Sequence, residues 1–89
     1  MSNMLLQFQV RDYATWRKVY DSLGEVRRSL GNLSGEVLQD ASDPTKVVLL
    51  LKWDSLENAK KWSLSPELKV GQEKAGVVGP VDTRFLTEM

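Results

Sequence analysis

The chain has 89 residues, 42% apolar and 27% charged, with twelve Lys and Arg balancing twelve Asp and Glu. That length predicts one domain over residues 1–89, and the composition predicts a folded, soluble chain. Zero net charge removes the electrostatic footprint of a nucleic-acid binder, and the lack of Cys and His excludes disulfides, thiol nucleophiles, imidazole chemistry and most zinc and transition-metal sites.

No apolar run approaches the ~20 residues of a membrane span. Met1-Ser2-Asn3 carries no basic region ahead of the first apolar run, so no signal peptide and a cytoplasmic location are expected. Met4 to Val10 alternates, with Leu6, Phe8 and Val10 on one face and Gln7, Gln9 and Arg11 on the other, which predicts a strand. Asp12 is a good N-cap for the segment that follows. From Tyr13 to about Ser29 the period lengthens. Trp16, Val19, Tyr20, Leu23, Val26 and Leu30 recur at spacings of three and four, the stripe of an amphipathic helix that Gly31-Asn32 ends.

Glu36 to Ala41 predicts a second strand, with Leu38 facing away from Val37, and Ser42-Asp43-Pro44-Thr45 a turn. Lys46 to Trp53 predicts a third. Its run Val47-Val48-Leu49-Leu50-Leu51 is apolar on both faces, which suits a central strand. Asp54 with Glu57 reads as an acidic capping box for a short helix marked by Leu56, Ala59 and Trp62. Ser65 with Pro66 restarts a helical piece running to about Ala75, with Gly71 weakening its interior. Gly76 to Pro80 reads as a turn and Val81 to Thr87 as the last strand.

The order β-α-β-β-α-β, with the second helix broken, is the ferredoxin-like α+β arrangement: a four-stranded antiparallel sheet with helices on one face. The other face would carry Leu38, Leu86 and either Leu49 or Leu50. A chain this small leaves that face wet unless a second copy covers it, so a homodimer packed sheet on sheet is expected.

The second half carries a further pattern. Asp43-Pro44-Thr45-Lys46-Val47-Val48 leads into Lys52-Trp53-Asp54, then Ala59, Trp62, Ser65-Pro66-Glu67-Leu68 and Ala75-Gly76-Val77-Val78-Gly79-Pro80. With Asp12-Tyr13 and Trp16 after the first strand, the chain resembles the antibiotic biosynthesis monooxygenase-like family of dimeric α/β barrels over nearly its whole length. The resemblance implies a homodimer whose two sheets form a barrel, with a ligand pocket between helices and sheet. Characterised branches of that family include cofactor-independent monooxygenases acting on aromatic polyketides, and haem-degrading enzymes. The haem-degrading branch uses an Asn, a Trp and a haem-ligating His. Trp62 stands at the Trp position, but Gln72 lies ten residues on, where the His is expected. Glutamine does not replace that iron ligand, so haem degradation is not expected. The polyketide branch orients its substrate with Asn, Trp, Tyr and Arg.

The candidate pocket residues are therefore Gln7, Trp16, Tyr20, Trp62 and Arg84. Trp16 and Tyr20, one helical turn apart, form either core or a pocket wall with the Tyr20 hydroxyl as a polar handle. Trp62 either packs on the third strand or gates a pocket from a broken helix. Trp53 suits an aromatic plug at the sheet edge. Arg84 either pairs with Asp40, Glu36 or Asp82 across the sheet or clamps an anion or enolate. Gln7 and Gln9 either bond across a sheet–sheet interface or orient a carbonyl. Asp12, Asp54 and Glu57 suit helix starts, while Asp21 and Glu25 beside Arg17, Lys18 and Arg28 suit a solvated face. Gly76 and Gly79 are turn glycines, without the Lys and Ser/Thr of a phosphate loop.

Two readings follow. One is an enzyme of the monooxygenase type, needing no metal or cofactor, that acts on an aromatic or polyketide-like substrate. The other is a non-catalytic ligand-binding module or dimeric scaffold of the same fold, holding at most a small apolar or aromatic ligand. Neither involves nucleic acid or a membrane.

Overall fold

Alternation along the first strand sets the geometry of the sheet. The computed structural model describes residues 2–89. Its elements run β1 (Ser2–Val10), α1 (Tyr13–Ser22), α2 (Gly24–Ser29), β2 (Asn32–Asp40), β3 (Asp43–Trp53), α3 (Leu56–Ser63), α4 (Pro66–Ala75) and β4 (Val77–Thr87). The sheet is antiparallel in the order β2-β3-β1-β4, the ferredoxin-like α+β arrangement. Directly opposed residues share a face. Met4 and Leu6 of β1 therefore point the same way as Leu51 and Leu49 of β3. This face is buried under Trp16, Ala59, Trp62 and Ala75 from the helices.

The opposite face is uncovered within the chain. Its rows run Glu36, Leu50, Leu5, Arg84 and Leu38, Val48, Gln7, Asp82 across the four strands. Of the two leucines left open by the sequence, Leu50 lies on this face and Leu49 is in the core. Leu38 remains 52% exposed here and Leu86 41%.

Strand β1 starts at Ser2 rather than Met4, and four further boundaries differ from the sequence reading for local reasons. The first helix is two helices, α1 and α2, meeting at Leu23, whose N–H bonds back to the Tyr20 carbonyl at 3.3 Å just before Gly24. Strand β2 starts at Asn32 because the Asn32 amide donates to the carbonyls of Ser34 and Lys52, holding an irregular first pairing. Asp43, placed in a turn by the sequence, already pairs with Asp40, and its carboxylate accepts from the Thr45 amide and hydroxyl. Strand β4 starts at Val77, not Val81. Val77 and Val78 pair with Val10 and Gln9, and a register shift accommodates Gly79, whose φ of 74° suits glycine. The cap of α3 is Ser55, accepting from the Asn58 amide, while Asp54 accepts from the Asn58 side chain instead. No helix among the described residues is long and apolar enough to cross a membrane.

Candidate functional site

Helix α1 is fixed at its start by Asp12, whose carboxylate accepts from the amide and hydroxyl of Thr15 at 3.0 and 2.7 Å. Those bonds favour the ionised form and hold the Asp12 pKa below the usual carboxylate value. The helix then lays Trp16 and Tyr20 against the sheet. Their rings stack at 5.1 Å and 16°, and Trp16 also meets Phe8 of β1 at 5.5 Å.

The stack continues into α2. The Arg27 guanidinium lies 3.8 Å from the centre of the Tyr20 ring, and its Nη1 donates to the Tyr20 carbonyl at 2.8 Å. Arg27 is only 6% exposed. Burial pulls its pKa below the usual guanidinium value, but arginine stays charged at neutral pH. Its Nε is buried with no hydrogen-bond partner. The result is a column of Trp16, Tyr20 and Arg27, in which the cation rests on a π face.

The other wall comes from α3 and α4. Trp62 is 1% exposed and sits 6.1 Å from the Trp53 ring. Ser65 joins the two helices: its hydroxyl caps α4 by accepting from the Leu68 amide and donates to the Trp62 carbonyl at 2.9 Å. Helix α4 approaches α1 closely because residue 71 is glycine. A Cβ there would stand 2.8 Å from the Leu23 side chain.

Between these walls and the sheet lies a cavity of about 40 Å³, lined by Trp16, Tyr20, Arg27, Trp62, Leu68 and Gln72 among others. Among the described residues, no carboxylate lines it. The structure thus brings three of the five sequence candidates, Trp16, Tyr20 and Trp62, to one cavity. It does not bring Gln7 or Arg84 there. Both lie on the uncovered face, where Gln7 opposes Val48 and Asp82, and Arg84 opposes Leu5. The Arg84 side chain is 68% exposed, with Nε 3.9 Å from the Asp82 carboxylate. Alternation explains the difference: odd-numbered β1 residues point away from the helices.

Sequence reasoning passed over Arg27. The signal was its spacing. Trp16, Tyr20, Leu23 and Arg27 step by four, three and four along one helical stripe, so Arg27 is a charge on an otherwise apolar face. Gln72 entered only as the residue at a missing ligand position, yet it lines the same cavity.

A protein-family model described as antibiotic biosynthesis monooxygenase matches residues 7–74. Among solved structures, SnoaB, a cofactor-independent oxygenase from Streptomyces nogalater, superposes with a TM-score of 0.80 at 12% identity, over 99% of this chain and 92% of its own. A candidate antibiotic biosynthesis monooxygenase from Bordetella bronchiseptica gives 0.83 at 10% identity, over 99% and 96%. Another from Nitrosomonas europaea gives 0.76 at 18% identity, over 100% and 99%. A search of curated proteins returns no match. At these identities the structural likeness is one of fold.

Proposed function

Since the chain belongs to the antibiotic biosynthesis monooxygenase family, we propose that it is a homodimeric, cofactor-independent oxygenase. Its substrate would be a small, electron-rich aromatic molecule held beside Trp16, Tyr20 and Trp62. The observation that carries this reading is the aromatic cavity between helices and sheet, with a buried guanidinium in its wall. The uncovered leucine-bearing sheet face supports the homodimer, because a second copy of the same face buries it with twofold symmetry.

In such a reaction the substrate itself is the reductant. An ionised phenol donates electron density through its ring carbon to dioxygen, forming a carbon–oxygen bond and then a hydroperoxide. The oxygen–oxygen bond breaks with loss of water, and the ring carbon becomes a quinone carbonyl. One oxygen atom stays on the product and the other leaves as water. The protein's part is to orient the ring on the stacked aromatics and to stabilise developing negative charge.

Size constrains how this works. Ligand sites usually enclose about 300–1,000 Å³. The 40 Å³ observed here suits a water-sized guest, so an aromatic substrate enters only if a wall moves. Helix α4 is the wall suited to it. Its fully buried residues are Gly71 and Ala75, which hold little apolar area against the core, and Leu64 at the junction with α3 is 85% exposed.

The test is oxygen consumption by purified protein with a panel of hydroxynaphthalenes and anthrone-type substrates, with mass spectrometry in ¹⁸O₂. The expected result is saturable uptake and a product gaining one labelled oxygen. No turnover above the uncatalysed rate across the panel would instead support the second reading, a non-catalytic binding module or dimeric scaffold. That second reading rests on the small volume and on a cavity wall that holds no carboxylate among the described residues.

A further inference from the structure

We propose that Arg27 makes the cavity an anion site whose ligand is an aromatic carboxylic acid, the carboxylate taken side-on by the guanidinium and the ring by Trp16, Tyr20 and Trp62. The inference rests on the small-molecule reading above and names the substrate class for the same cavity.

A buried cation needs compensation, normally a carboxylate. Arg27 forms no ion pair within 4.0 Å among the described residues. Asp21 acts on Arg27 only through space and is itself engaged with Arg17 at 3.1 Å. What Arg27 has is the Tyr20 π face, the Tyr20 carbonyl and the partial negative charge at the end of α1. None of these carries a formal charge.

Geometry narrows the ligand. Among the described residues Nη1 is the only Arg27 guanidinium nitrogen with a hydrogen-bond partner, and Nε is buried with none. The Nε and Nη2 edge is thus unpaired, and the movement that admits a ligand would open it, its two parallel N–H bonds matching the two oxygens of a carboxylate. A lysine ammonium would offer no such fork. The remaining wall is aromatic and aliphatic, with Gln72 the other polar side chain lining it. Once a wall has moved to admit it, one anionic group on a flat apolar body therefore matches this lining, whereas a phosphate sugar or a zwitterion would leave polar groups against Trp16 and Leu68.

The test uses benzoate and its neutral isostere benzamide, titrated into ¹⁵N-labelled full-length protein by NMR. The resonances followed are the Arg27 Nε–H and the indole N–H of Trp16 and Trp62. Benzoate is expected to saturate and to move all three, with benzamide at least tenfold weaker. That comparison needs no variant, so it stands whether or not a substitution folds. Arg27→Leu should bring benzoate and benzamide to equal affinity, Arg27→Lys should keep part of the preference, and Arg84→Leu should change nothing. Equal binding of the two probes to the unsubstituted protein overturns the proposal and leaves a neutral-ligand pocket. So does a preference that survives Arg27→Leu or disappears with Arg84→Leu. Failure of both probes to bind removes the pocket reading itself and the anion site with it.

Discussion

Trp62 is the residue on which core and gate make opposite predictions. It is 1% exposed and its ring lies 6.1 Å from Trp53, which is itself fully buried. Truncation of a core tryptophan to alanine costs about 3–5 kcal/mol, from lost transfer energy and the space left behind. In a domain of this size each kcal/mol lowers Tm by about 4–8 °C, so Trp62→Ala should lower Tm by an amount on the order of 12–40 °C. A gate that swings free of the core would lose about 0.5 kcal/mol or less, as surface substitutions do. The assay is thermal unfolding followed by circular dichroism, repeated with millimolar indole. Indole fits the space vacated by the side chain and binds only the folded state, so it should restore part of the loss in a concentration-dependent way. A Tm change under about 4 °C, with no response to indole, would refute the packing argument and make Trp62 a lid.

Three further predictions follow from separate parts of the fold. Leu50→Asp, on the uncovered face, should leave the secondary structure intact and shift sedimentation velocity to the monomer; an unchanged dimer would place the interface elsewhere. Gly35→Ala should destabilise by about 1–3 kcal/mol through overpacking, because a Cβ there meets the Tyr20 hydroxyl oxygen and stands 3.0 Å from Leu51. Tyr20→Phe in the same chain should recover much of that loss, a coupling read by a double-mutant cycle in urea. Asp40 and Asp43 have pKa values lowered from 3.8 by hydrogen bonds from Ser42 and Thr45 respectively. A depressed folded value means the contribution is complete above the unfolded pKa and disappears as pH falls through the folded one. Stability should therefore decline below about pH 4, and Asp43→Asn should flatten that decline in denaturant titrations at stepped pH.

How much of this was legible in the sequence depends on the physical origin of each feature. Alternation and three-four spacing survive in the sequence because they are consequences of backbone geometry, and they sufficed for the strand–helix order and the split fold. The apolar run of β3 marked it as a central strand. Its alternation could not say whether Leu49 or Leu50 faces the helices, because both residues are apolar; the register against Leu6 and Leu5 decides it. The break at Leu23 was hidden by a stripe that continues unbroken through it, since Trp16, Tyr20, Leu23 and Val26 keep helical spacing across the junction.

The same continuity explains how the site is composed. Periodicity groups residues by face, so it could bring Trp16 and Tyr20 together, but charge was treated as a sign of solvent. Arg27 violates that rule: it sits on the apolar stripe, 6% exposed, with an aromatic face where a counter-ion would usually be. Arg84 obeys the rule, and its exposure on the uncovered face follows from strand parity. Of the two arginines, the one that breaks local pattern carries the electrostatic cost. A cost retained in a chain of 89 residues, where stability is on the order of 0.05–0.15 kcal/mol per residue, needs a compensating role. An anionic guest beside the Tyr20 ring is one such role; a clamp holding α2 to the end of α1 is the other. The two differ in what Arg27→Leu does to binding. It removes the Nη1 bond to the Tyr20 carbonyl and so weakens the free protein in either case. A clamp alone leaves a carboxylate preference where it was, whereas an anion site loses it.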